Sequence, residues 1–383
     1  MLAFGGKQKP PFQQAISESG LIGPGFAPQY STKHFDEVAI QSGCDYGNPD
    51  SEMSLDCLRS LSLESLLDIS LQVSSANNPF LIGEFYTPVV DGDFIPLEPS
   101  LLVQSGKFSK VPMIIGWNDD DGSLFAPPTI QTDDEIVNYF VKIYPRLTKT
   151  TSRQILKLYP LSDFPAIPSQ NASAQFLRTS RIFRDIEFTC PSLYVALHAS
   201  DTGGKAQINA VYHPAGAQKS PLQAILGNLG ASWNTVSDAS SSRLPVFLYN
   251  LNQTSLEQNF TGQGFPQLGV SHVADIPYIF DEVDRFNDSA SNALLARQIT
   301  GSWSKFATSG HPSSSRGTTV KGWVSAWLGA RKVDLEDASV MIIGGGKPGM
   351  ASLGGDSGSL RDENIPERCG FLMSERVIRE LGT

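Results

Sequence analysis

The chain has no long apolar run. Its densest stretches, Val111–Trp117 and Val340–Ile343, are strand-sized and fall short of the roughly 18 residues of a membrane helix. There is no basic block either: 29 Lys and Arg stand against 39 Asp and Glu, a net charge of −10. Nucleic-acid binding is driven by phosphate neutralisation, so this balance argues against a nucleic-acid partner. Cysteine is scarce, with four residues and no C-x-x-C pair to suggest zinc. The first residues, Met1–Lys7, show neither a basic n-region nor an apolar h-region, so they do not read as a signal peptide. What is present is enough to build a core. Hydrophobic residues make up 40% and charged residues 18% of the 383 positions, which excludes a coiled coil, a collagen or a disordered tail. The length fits two or three average domains or one large α/β domain.

Buried parallel strands read as continuous apolar runs. Val111–Gly116, Leu244–Asn250 and Ala338–Ile343 have that character, and Phe12–Gly20 predicts a shorter strand ending in a glycine turn. Ala338–Ile343 is expected to be the last strand. Phe80–Pro96 reads as extended, with a tight turn at Asp91-Gly92. Helical patterns lie between these runs. One is expected near Ser51–Leu67. Thr132-Asp133-Asp134-Glu135 is a capping box, followed by Ile136, Phe140 and Ile143 on one face and by Pro145 as a stop. Arg178–Leu197 predicts a helix interrupted near Pro191. A further helix carries Leu295, Ile299, Trp303 and Phe306 and ends at Gly310 and Pro312. Gly230–Arg243 and Gly344–Pro366 read as loops. With no internal repeat and no linker, strands alternating with helices predict an α/β fold with a mainly parallel sheet.

The five histidines are His34, His198, His213, His272 and His311. His272 stands on a loop just before the apolar Ile276–Phe280, a setting that can hold a general base. Asp121 follows a parallel-strand run, at the sheet edge where ligands and catalytic groups collect, although Asp119-Asp120-Asp121-Gly122 is also ordinary turn chemistry. An EF-hand calcium loop fails there, since Trp117 and Pro128 would occupy its first and last ligand positions. A carboxylate and a histidine suit a hydrolase, which then needs a nucleophile. No serine in the chain has Gly at both −2 and +2, the nucleophile elbow G-x-S-x-G. Ser357, in Gly355-Asp356-Ser357-Gly358, comes nearest and reads as a loop residue with no strand before it. Gly344-Gly345-Gly346 comes too late in the chain to be an oxyanion loop. The cysteines leave two readings open: disulfide staples, for which the Cys44 to Cys57 spacing is suited, or four buried thiols. Asn171, Asn252, Asn259 and Asn287 head Asn-x-Ser/Thr sequons.

Several segments, in order, resemble the type B carboxylesterases, the cholinesterase and fungal lipase branch of the α/β-hydrolases. Phe12–Gly20 resembles the family strand after the nucleophile helix, and Phe85–Gly92 its PVVDG segment. Ile115-Gly116-Trp117-Asn118-Asp119-Asp120-Asp121-Gly122 is similar to IGxNxxEG, with Asp121 at the acidic position in place of the commoner Glu. Gly269-Val270-Ser271-His272 with Asp275–Tyr278 resembles the segment bearing the catalytic histidine, and Trp303 to Pro312 resembles WxxFAxxGxP. The resemblance covers nearly the whole chain. It implies one carboxylesterase domain over residues 1–383, represented by its C-terminal portion. It also implies disulfides Cys44–Cys57 and Cys190–Cys369.

The same resemblance implies an ester hydrolase with His272 as base and Asp121 as its orienting acid. Its substrate would be a small-molecule or lipid ester, it would need no metal or organic cofactor, and it would be secreted, or cytoplasmic with reduced cysteines if Met1 is the true start. The family carries its oxyanion glycines and GESAG elbow upstream of the Phe12–Gly20 strand, so the expectation is an N-terminally truncated α/β-hydrolase fold. Such a chain would have negligible turnover alone and an exposed strand edge prone to pairing. The competing expectation is a non-catalytic cholinesterase-like binding or adhesion domain, or a degenerate pseudo-esterase.

Overall fold

The computed structural model describes all residues except 21–27, 78–87, 201–242, 287–288, 316, 331, 356–359, 361–362 and 383. His213, Asn287, Ser357, the expected loop over 230–242, and residues 80–87 of the extended and PVVDG segments lie outside the described residues.

The apolar runs form the sheet. Strands β1 (Ala15–Glu18), β2 (Met113–Asn118), β3 (Val246–Leu251), β4 (Ser339–Ile343) and β5 (Gly349–Ser352) lie side by side in that order. The first four are parallel, with Ile16 beside Ile114, Ile114 beside Phe247, and Leu248 beside Val340. Both β2 and β3 are buried along their whole length, which is why their sequences do not alternate with polar residues. Successive side chains still go to opposite faces. Met113, Ile115, Trp117, Val246, Leu248, Val340 and Ile342 enter one core, whereas Ile114, Phe247, Tyr249, Met341 and Ile343 enter the other.

Among the described residues, eight α-helices precede β3: α1 (Pro28–Gln41), α2 (Glu52–Ser60), α3 (Leu63–Asn77), α4 (Pro99–Gln104), α5 (Asp133–Ile143), α6 (Lys149–Lys157), α7 (Ala174–Arg184) and α8 (Cys190–Ser200). The capping box forms as the sequence predicts, with Thr132 and Glu135 exchanging hydrogen bonds. Helix α8 packs on β2 and β3 within the first core. The helix Ala290–Ser309 covers the second core with Leu295, Ile299, Trp303 and Phe306 and ends at Gly310, in the left-handed region. No helix among the described residues is long and apolar enough to cross a membrane.

Three expectations are corrected. The helix near Ser51–Leu67 is two helices, because Leu61 is extended and closes α2 before α3 begins. The interruption expected near Pro191 in the helix over Arg178–Leu197 is present. A π-helical turn spans Asp185–Thr189, and Cys190 N–H reaches back to Asp185 O. Proline lacks the N–H that would continue the ladder, and the widened turn places that defect at the start of α8. Residues 88–96 form no strand; the turn is held by Asp91 Oδ1, which accepts from the N–H groups of Asp93 and Ile95. Finally, Ala338–Ile343 is not the last strand. β5 lies inside the expected loop and pairs antiparallel with β4. It is short and glycine-led, so only the partner strand identifies it.

Candidate active site

Asp121 begins a short 3-10 turn (Asp121–Leu124) directly after β2. This places it at the C-terminal end of a central parallel strand. Its neighbour Gly122 has no room for a side chain, since an added Cβ would sit 1.9 Å from Ser180 O on α7. The close approach leaves Asp121 fully buried. Its carboxylate is satisfied on both oxygens. Oδ2 accepts from Asn118 N–H at 2.7 Å and from the Ser19 hydroxyl at 2.8 Å. Oδ1 faces His272 Nδ1 at 3.1 Å.

His272 arrives from a loop 151 residues further on. Its side chain is 28% exposed. One ring face stacks on Phe188, at 4.8 Å between centroids and 26° between planes, and Phe125 lies at 5.5 Å. Phe188 belongs to the π-helical turn, so that irregularity delivers an aromatic wall to the imidazole. A carboxylate at Nδ1 keeps the proton there and leaves the lone pair on Nε2, the form a general base requires.

The loops carrying the two residues are tied to each other. Asn118 Nδ2 donates to Ser271 O at 3.0 Å and to Asp275 Oδ1 at 3.3 Å, and the Ser123 hydroxyl donates to Leu268 O at 2.6 Å. Asp275 is buried, and burial raises its carboxyl above the usual range. The Glu18 carboxyl, at the end of β1, is raised for the same reason, although it accepts a hydrogen bond from Trp303 Nε1.

Behind Asp121, its neighbour Asp119 enters an ion-pair cluster with Arg181 and Arg184 of α7 and with Glu363. Arg184 is fully buried and also pairs with Asp185 at 2.7 Å. Burial lifts the Asp119 carboxyl to about 6 despite Arg181. Burial would also raise Glu363, but Arg181 and Arg184 outweigh it and hold that carboxyl at about 2.

The structure therefore brings the two sequence-predicted residues together. Ser19, Asn118, Asp120 and Phe188 were not singled out from sequence. Ser19 and Asn118 carried one usable signal, since both stand at C-terminal ends of parallel strands. Cys44 is bonded to Cys57, and Cys190 on α8 to Cys369 near the C-terminus. Asn171 and Asn259 are exposed and Asn252 is half-buried.

The profile of the carboxylesterase family matches residues 2–333. The chain belongs to the carboxylesterase family. A secreted lipase of Arthroderma benhamiae is 29% identical over the whole of this chain and 60% of its own length. An inactive carboxylesterase-like protein of Byssochlamys spectabilis is 28% identical over 94% of this chain and 57% of its own. Among solved structures, EstA of Aspergillus niger superimposes on the whole chain and on 62% of itself, with a TM-score of 0.69 at 19% identity. That likeness shows the α/β-hydrolase fold. This carboxylesterase-family chain thus spans about 60% of the length of the relatives it matches.

Proposed function

We propose that the chain supplies the base and its orienting acid to a carboxylic-ester hydrolase site. The observation that carries this reading is the bond between a fully buried Asp121 carboxylate and Nδ1 of a partly exposed His272. In that reaction His272 Nε2 takes the proton of a serine hydroxyl as the serine oxygen bonds to the ester carbonyl carbon. The imidazolium then returns the proton to the departing alcohol, and water releases the acid by the same route. Asp121 stabilises the imidazolium and fixes its tautomer.

The 383 residues hold no G-x-S-x-G, and the Ser19 hydroxyl is committed to Asp121. We assign the nucleophile to polypeptide other than these residues, and the substrate to the small-molecule or lipid esters. The secreted lipase relative and the two disulfides support an extracellular setting, in which Asn171 and Asn259 are, among the described residues, the exposed glycan acceptors.

The test is ester hydrolysis by the full native polypeptide that contains this chain. His272→Ala is expected to lower kcat by at least ~10³-fold, whereas the 383 residues alone take no label from a fluorophosphonate probe. Unchanged hydrolysis in His272→Ala, or a labelled serine within these residues, overturns the reading. A second reading is a non-catalytic member, favoured by the missing elbow and by the inactive relative that matches 94% of the chain. It requires that the full polypeptide show no hydrolysis at all.

A further inference from the structure

The Asp121–His272 bond joins two loops that are far apart in sequence, so something must hold them in register. The residue before Asp121 has the geometry for it. Asp120 N–H donates to Val270 O at 3.0 Å, and Val270 N–H donates back to Asp120 Oδ2 at 3.0 Å. Asp120 and Ser271 form an isolated parallel bridge between the two loops. Asp120 thus binds the His272 loop with both its backbone and its carboxylate, two residues ahead of the imidazole.

The other side of the contact is shaped to receive it. Gly269 has φ +58°, a conformation side chains rarely adopt, and an added Cβ would lie 2.3 Å from Asp120 Oδ2. The glycine removes the group that would push the carboxylate away. A hydrogen bond from a backbone N–H to an ionised carboxylate is stronger than one to a neutral acceptor.

We infer that Asp120 is a positioning residue, a latch that sets His272 against Asp121 by clamping Gly269–Ser271 to the end of β2. Asn118 and Ser123 tie the same loops on either side of it, but Asp120 closes the reciprocal pair. The inference rests on the Asp121–His272 pairing proposed above, and it does not depend on which ester is cleaved or on whether the polypeptide is catalytic.

The experiment is NMR of the full native polypeptide labelled with ¹⁵N-histidine, with the His272 signal assigned by its loss in His272→Gln. Asp121→Asn serves as the control for a broken pair. Asp120→Ala and Gly269→Ala are expected to lose the slowly exchanging Nδ1–H signal of His272 and to move its titration toward that of Asp121→Asn. Asp120→Asn keeps an acceptor for Val270 N–H and is expected to retain the signal. In a polypeptide that hydrolyses esters, Asp120→Ala is also expected to lose on the order of 10²-fold in kcat with KM little changed, and Asp120→Asn to recover most of it.

A folded Asp120→Ala with the wild-type His272 signal and titration overturns the latch. Should Asp120→Ala fail to fold, Asp120→Glu displaces the same oxygens by one methylene, and a wild-type signal in it overturns the latch equally. Failure of the proposed function is a separate result: His272→Ala would leave hydrolysis unchanged while the NMR outcome still stands.

Discussion

Asp119, Asp120 and Asp121 are chemically identical and adjacent, yet each has a different partner. Asp119 meets Arg181 and Arg184, Asp120 the backbone of Val270, and Asp121 the imidazole of His272. Read as sequence, Asp-Asp-Asp-Gly is a solvated turn. The family segment marks Asp121 alone, and partners from α7 and from the 269–272 loop give the three their different contacts. Val273 is the other notable residue. It follows His272 at φ +70° and is 42% exposed. A β-branched side chain in the left-handed region carries strain of about 1–3 kcal/mol. Val273→Gly relieves that strain and loses little packing, while adding freedom to the unfolded chain that costs about 0.4–1 kcal/mol. The expected net effect is a gain of about 1 kcal/mol, measured as a raised urea midpoint with an unchanged slope. A lower midpoint would show that Val273 packs more than its exposure indicates.

Among the elements, the stretch from α7 through the π-helical turn into α8 does the most to shape the site. Arg184 ends α7 and donates to the Asp119 carbonyl at 3.2 Å, and Phe188 in the turn stacks on His272. The sequence located the interruption only through Pro191. That the break is a widened turn aimed at the histidine depends on packing against β2. The ion pairs around Arg184 predict an acid limb to stability. Glu363 is held at about 2 in the fold against an ordinary value of 4.5. Its contribution is therefore present above about 4.5 and is lost as pH falls from there through about 2. Asp119, raised to about 6 by burial, has the opposite sign and is destabilising when ionised. Removing one partner of a buried pair costs roughly 3 kcal/mol. Glu363→Gln is expected to lose about that much in urea unfolding at pH 7, and the gap from wild type is expected to close as pH falls toward 2. A gap that stays constant with pH would rule out the ion pairs as its source.

At the scale of the whole molecule, two cross-links differ in reach. Cys44–Cys57 encloses a separation of 13 residues, whereas Cys190–Cys369 spans 179 and ties α8 to the C-terminal helices. The longer closure restricts the unfolded chain more, and loop-entropy estimates run from about 3 kcal/mol for a short loop to nearly 5 for a long one. Replacing Cys190 and Cys369 by Ser is expected to lower the melting temperature more than replacing Cys44 and Cys57; an equal or reversed order would show that local packing around Cys44 dominates. The sequence by itself determined the alternation of parallel strands and helices, since burial on both faces demands uninterrupted apolar runs such as Met113–Trp117. It also marked Asp121 and His272, one by its place after a strand and both by their resemblance to family segments. The tertiary structure decided the rest: the β4–β5 pairing, the Ser19 and Asn118 contacts to Asp121, and the Asp120–Val270 latch. The Ser19–Asp121 and Asp120–Val270 contacts join residues 102 and 150 positions apart, and no local propensity or spacing encodes a hydrogen bond whose two halves meet only when the sheet has formed.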